Sequence, residues 1–212
     1  MTKTEKKRQL LMEQIQELMK ENQGILRTSQ LYELNLDYRK IQRLVELGLL
    51  ARVKNGYYSL GEKQEEKTGL KREEQMIAGL FPDGVLTLES ALYYYHYLRE
   101  RPYCWHIAID KNTSKSRFKL EYPLVEPHYT EGEYLSLGVS VIPLGDGIMQ
   151  IYEKERLICD CMKFEDKLER EVMQEALRCY LREPIKDIHK LMEYARARRV
   201  VQKVQSRIGA WL

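Results

Sequence analysis

Apolar side chains recur at Leu11, Ile15, Leu18 and Met19, with Leu10 beside them, among polar and charged neighbours. Spacings of three and four put them on one helical face, so residues 5–21 predict an amphipathic helix, which Gly24 stops. Thr28 is placed to cap a short helix through Leu34, with Leu31 and Leu34 facing inward and a tight turn at Asn35 and Leu36. Asp37 caps a third helix. There Ile41, Leu44 and Val45 form the buried stripe, Tyr38, Arg39, Lys40, Gln42 and Arg43 lie off it, and Gly48 ends it. Residues 49–53 and 57–60 then read as two short strands joined at Lys54, Asn55 and Gly56. Asn-Gly is a strong hairpin signal because the tight turn needs positive φ at its centre.

Beyond this first segment the pattern changes. Residues 61–75 are mostly charged and lack apolar periodicity, which predicts a linker. Thr87 can cap a helix through Leu98 that contains the run Tyr93, Tyr94, Tyr95, His96 and Tyr97. Residues 105–109 alternate as a strand, and residues 118–125, 134–143 and 148–152 supply further extended segments. From Glu153 the chain is expected to be helical: a short segment to Met162, then helices near 166–182, 185–196 and 199–211, with Pro184 at a helix start. The expected fold class is α+β. A winged helix-turn-helix at 1–62 leads through a linker at 63–75 to a mixed domain at 76–212, with a small β-sheet and a C-terminal helical bundle.

The winged-helix reading rests on three helices followed by a hairpin within about sixty residues. In that order the helix from Asp37 takes the recognition position. Arg39, Lys40, Gln42 and Arg43 are then donors that reach base edges or phosphates, Tyr38 can reach a phosphate, and Arg52 and Lys54 on the hairpin suit backbone or minor-groove contact. An amphipathic helix with a solvated charged face, or a winged helix that docks a protein partner, shows the same pattern.

Charge sharpens this picture only when it is divided along the chain. The net charge of +3 hides a basic first segment, an acidic middle and a basic end. Residues 1–60 carry 11 Lys and Arg against 7 Asp and Glu, while residues 186–212 carry 7 against 2, so bulk coating of a polyanion is excluded and local basic faces are not. The absence of a long apolar run and the polar, Lys-rich start point to a cytoplasmic protein. Four cysteines, Cys104, Cys159, Cys161 and Cys179, are too sparse for a disulfide framework and read as reduced, mostly buried hydrophobes.

Candidate chemistry is thin. Cys159 and Cys161 are one residue apart with no second pair, short of the four ligands that a structural zinc site needs. His96, His106, His128 and His189 stand in unrelated contexts, so no metal and no cofactor is expected. Neither a nuclease-like acid with a following Glu-x-Lys, nor a phosphate-cradling loop at Gly138, Gly145 and Gly147, nor paired nucleotidyltransferase aspartates can be assembled. Glu169, Glu171 and Glu175 read as helix surface paired with Lys167, Arg170 and Arg178. A catalytic function is not expected.

Residues 24–31 (GILRTSQL), 37–50 (DYRKIQRLVELGLL) and 52–60 (RVKNGYYSL) together resemble the N-terminal winged helix of AbiEi-type antitoxins of bacterial type IV toxin-antitoxin systems. The likeness continues through residues 87–92 (TLESAL), 141–143 (VIP), 152–160 (YEKERLICD), 176–178 (ALR) and 191–195 (LMEYA), so it spans nearly the whole chain. The resemblance implies an antitoxin that represses its own promoter at inverted repeats. It also implies a nucleotidyltransferase-like toxin opposed without a stable mutual complex. Carried onto this chain, the DNA-contacting positions are Thr28, Ser29, Tyr38, Arg39, Lys40, Gln42, Arg43 and Lys54, with Arg196, Arg198, Arg199, Lys203 and Arg207 as candidates near the C-terminus. The chain departs from the family pattern in its tyrosine-rich helix at 93–97 and in its extra N-terminal residues, 1 to roughly 13. The competing expectation is a general winged-helix regulator whose second domain binds a ligand or a protein and has no toxin.

Overall fold

The computed structural model describes residues 3–61, 69–145 and 147–209, and among them the chain is mixed α and β, with ten α-helices and two sheets. None of these helices is long and apolar enough to cross a membrane. Two compact units result: the first comprises Met1–Pro82 with Pro143–Ile148, the second Asp83–Ile142 with Met149–Leu212.

The first unit is built from α1 (Lys3–Glu21), β1 (Leu26–Arg27), α2 (Thr28–Glu33), α3 (Tyr38–Glu46), β2 (Leu50–Lys54), β3 (Tyr57–Leu60) and α4 (Gly69–Leu80). Its core follows the apolar spacing of the sequence. Ile15, Leu31, Leu36, Ile41 and Leu50 are buried together with Met12, Met19, Leu26, Leu44 and Tyr58. The strands form an antiparallel sheet in the order β1-β3-β2, with Leu26 opposite Tyr58 and Leu50 opposite Leu60. Two glycines make its turns possible. Gly56 takes φ +81° in the hairpin, and a Cβ at Gly61 would overlap the carbonyl oxygen of Gly48 where the end of β3 crosses the end of α3. The stretch expected as linker has two parts: residues 62–68 lie outside the described residues, and from Gly69 the chain is helix α4, which carries Met76, Ile77, Ala78 and Leu80 into buried positions. The boundary between units accordingly falls after Pro82 rather than at residue 75.

The second unit contains β4 (Val85–Leu86), α5 (Leu88–Tyr94), β5 (Trp105–Asp110), β6 (Val125–Thr130), α6 (Gly132–Leu135), α7 (Lys154–Lys163), α8 (Arg170–Arg182), α9 (Ile188–Arg198) and α10 (Val201–Ile208). Strands β7 (Val139–Leu144) and β8 (Gly147–Tyr152) complete a five-stranded sheet in the order β6-β5-β4-β8-β7. Strand β4 runs antiparallel to β5 and parallel to β8, and β5 pairs in parallel with β6.

Several expected elements shift. Helix α5 stops at Tyr94 rather than Leu98, because His96 adopts φ +59° and the Tyr97 N–H closes back on Leu92 O at 2.8 Å. The extended segment expected at 118–125 is a 3₁₀ turn (Lys115–Phe118) followed by coil, and the strand begins only at Val125. In place of an extended start at Tyr134 there is α6, followed by β7. Both strands contain proline, Pro127 in β6 and Pro143 in β7, and both lie at sheet edges, where a missing N–H leaves no inner ladder bond unmade. Pro184 does not start a helix; α9 begins at Ile188, where Asp187 Oδ1 accepts from the Lys190 N–H at 2.9 Å. Thr28 is the first residue of α2 rather than its cap, a place taken by Arg27.

Helix α7 is the spine of the second unit, with Arg156 through Met162 all buried. Its polar members survive burial through one network. Asp160 (2% exposed) accepts from Arg156 Nε at 3.1 Å and from Arg198 Nε at 2.6 Å, while Arg156 Nη1 donates to the carbonyls of Tyr134 and Leu137, each at 2.9 Å. The Arg156 guanidinium also lies over the Tyr152 ring at 4.3 Å. Cys159 and Cys161 flank Asp160, and burial pushes the Cys159 thiol up to about 12 and Cys161 upward as well, so both remain protonated core side chains.

Replacing Asp160 with Asn keeps the shape but leaves two buried guanidinium groups without a counter-charge. Breaking a buried pair in this way costs about 3–5 kcal/mol, so the D160N chain is expected to show a loss of that order in urea-unfolding free energy.

Candidate nucleic-acid interface

Helix α3 is set up by its own ends. Asp37 Oδ1 accepts the Lys40 N–H at 2.9 Å, and that backbone bond, with the adjacent Lys40 charge, holds the Asp37 carboxyl below its ordinary range. At about 100° per residue, burial of Ile41 and Leu44 turns Arg39 and Arg43 to the opposite side, one helical turn apart. Both are exposed, and among the described residues neither makes an ion pair or side-chain hydrogen bond. Tyr38 is exposed beside them, whereas Lys40 bends back, donating from Nζ to Asn35 O at 3.1 Å. Gln42 is only half-exposed, and its Nε2 is shut off from solvent with no hydrogen-bond partner among the described residues.

The hairpin adds a second group of cations. Tyr57, opposite Arg27 in the sheet, has Lys54 Nζ at 5.0 Å and Arg27 Cζ at 5.8 Å from its ring centroid. Arg52 Nη2 donates to Asn55 Oδ1 at 2.5 Å, which holds the turn. The Thr28 N–H donates to Gly56 O at 2.9 Å, tying the start of α2 to the hairpin tip, while Ser29 is exposed beside it. The sequence reading missed Arg27, because the two-residue strand β1 that carries it is too short to leave a period-2 signal.

The C-terminal candidates divide differently. Arg198 was expected on the surface but is 4% exposed and bound to Asp160, so it belongs to the core of the second unit. Lys203 donates to Met162 O at 3.0 Å and pairs with Glu165 at 2.6 Å; Arg207 reaches the other oxygen of the same carboxylate at 3.1 Å. The Lys203 hydrogen bond, with Arg207 assisting, holds the Glu165 carboxyl below its ordinary range. Arg196 and Arg199 are exposed and unpaired among the described residues, leaving these two of the five with free guanidinium groups.

The tyrosine run does not form an open stacking platform. Tyr94 stacks on Trp105, Tyr95 donates from its hydroxyl to Tyr152 O at 2.9 Å, and Tyr97 donates to Glu183, which also pairs with Lys154. Burial, reinforced by the Glu183 hydrogen bond, drives the Tyr97 pKa upward.

Arg39→Ala and Arg43→Ala are expected to leave the unfolding free energy within about 0.5 kcal/mol, whereas Arg198→Ala removes one of the two buried partners of Asp160, leaving only Arg156, and is expected to cost about 3 kcal/mol. Urea titration of the three variants checks this ordering.

Compared with known proteins, the chain matches no protein-family model and no curated protein.

Proposed function

We propose that the chain is a DNA-binding transcriptional autorepressor, that its first unit is a winged helix-turn-helix with α3 as the recognition helix, and that it serves as the antitoxin of a type IV toxin-antitoxin system. The observation that carries the DNA-binding half is the pair Arg39 and Arg43. These cations stand exposed and unneutralised on the outward face of a capped helix, opposite its buried stripe. Arg27, Arg52 and Lys54 on the small sheet supply the charge expected of a wing. The element order of helix, strand, two helices and hairpin supports the same reading. The antitoxin half rests on the sequence resemblance, and the toxin it opposes is a partner in function rather than in a stable complex.

A second reading keeps DNA binding and drops the toxin. It is favoured by a polar cleft of about 420 Å³ in the second unit, lined by Lys163 and Arg199 and also by Glu131, Glu133 and Tyr134, whose mixed charge suits a small polar ligand that alters operator affinity.

Mobility-shift titration on the DNA immediately upstream of the gene tests the main proposal. Arg39→Ala or Arg43→Ala is expected to cost about 1–3 kcal/mol on the native operator and to relax preference at one base position. Lys54→Ala is expected to weaken binding evenly across sequences and reduce the salt slope by about one unit. Sequence-independent binding by the unaltered chain, or none at all, would sink the proposal.

A further inference from the structure

Three donor side chains far apart in the sequence meet at one edge of the five-stranded sheet. Cys104 directly precedes β5, His106 is its second residue, and Glu126 on β6 is the register partner of His106. Alternation along a strand puts Cys104 and His106 on the same face, and parallel pairing brings Glu126 to it. The Cys104 thiol, the His106 imidazole and the Glu126 carboxylate all lie within 4.8 Å of one another. Glu126 makes no ion pair or hydrogen bond among the described residues, so its charge is uncompensated there.

We propose that Cys104, His106 and Glu126 bind a divalent transition metal of the zinc class. The donor spacing supports this. Zinc bonds of about 2.3 Å to sulfur and 2.0–2.1 Å to nitrogen at a tetrahedral angle put the two donors roughly 3.5 Å apart. Cys104 Sγ stands 3.5 Å from His106 Nε2. The other ring nitrogen, Nδ1, is engaged by His128 Nε2 at 3.0 Å, and the His106 backbone N–H donates to Ser90 Oγ at 2.9 Å. The imidazole is thus already oriented by outer partners, as metal-binding histidines usually are. Glu89 Oε2 accepts from the same Nε2 at 2.9 Å, a hydrogen bond that the metal–nitrogen bond replaces. A thiolate with an imidazole selects zinc over magnesium or calcium, which prefer all-oxygen sites. On binding, the Cys104 S–H proton and any proton on Nε2 leave to solvent as the metal–sulfur and metal–nitrogen bonds form. The ion then clamps the start of β5 to β6 at the sheet edge.

Cobalt(II) titration of the full, chelator-stripped chain tests this. One equivalent is expected to bind with a thiolate-to-cobalt charge-transfer band that zinc abolishes by displacement. Cys104→Ser is expected to remove the band, and Glu126→Gln to weaken binding about tenfold or more. Because Glu126 is exposed and unpaired, E126Q keeps the chain folded whatever becomes of C104S. No stoichiometric uptake by the unaltered chain, or uptake without a thiolate band that neither substitution changes, overturns the proposal. Neither result bears on DNA binding, which rests on other residues in the other unit.

Discussion

The second unit is organised around one shared carboxylate. Asp160 sits within the buried stretch of α7, Arg156 through Met162, and accepts from two guanidinium groups, one on its own helix and one on α9. An isolated ion there would be prohibitively unstable, so the neighbours are constrained. Helix α9 must end with Arg198 pointing inward, and the chain between α6 and β7 must present the Tyr134 and Leu137 carbonyls to Arg156. Directly after Arg198 the helix closes with Arg199 in the left-handed conformation, its N–H returning to the Ala195 and Arg196 carbonyls. Packing of α7 against its neighbours is therefore specified by polar geometry as much as by apolar area.

The same constraint reshapes the functional reading. A run of basic residues at the end of a chain invites assignment as one polyanion-binding surface. Among the described residues Arg198 pairs with Asp160, Lys203 and Arg207 with Glu165 and Lys190 with Glu153, Lys186 donates to main-chain carbonyls, and Arg196 and Arg199 face solvent. In the first unit the opposite holds. Among the described residues Arg39 and Arg43 make no ion pair: Asp37 pairs with Lys40, and Glu46, although it shares their face, does not pair with either arginine. A cation without an internal partner keeps its full electrostatic attraction for an external anion, which is why the proposed function rests on α3.

Much of the first unit was legible because its signals are local. Apolar spacing marked α1 and α3, Asp37 marked a cap that the structure uses, and Asn55 with Gly56 marked the hairpin. What escaped had weak or nonlocal signals. Strand β1 has two residues, α4 begins inside a stretch whose first half reads as charged linker, and β6 hides its alternation behind Pro127. The tyrosine run looked like one helical feature, yet Tyr94, Tyr95 and Tyr97 are held by different distant partners: Trp105, Tyr152 and Glu183.

The sequence by itself determined the elements whose stabilising contacts lie within a few residues: amphipathic helices, their caps and the tight turn, all governed by backbone geometry and short-range spacing. It also determined that basic charge gathers at both ends. Only the tertiary structure decided which of those charges remain free, since neutralisation depends on acids 38 to 42 positions away, such as Asp160 and Glu165. It alone brought Cys104, His106 and Glu126 together, because their meeting depends on the parallel register of β5 and β6. Strand register is a property of pairing between distant segments, and the alternation that helps to set it is interrupted in β6 by Pro127.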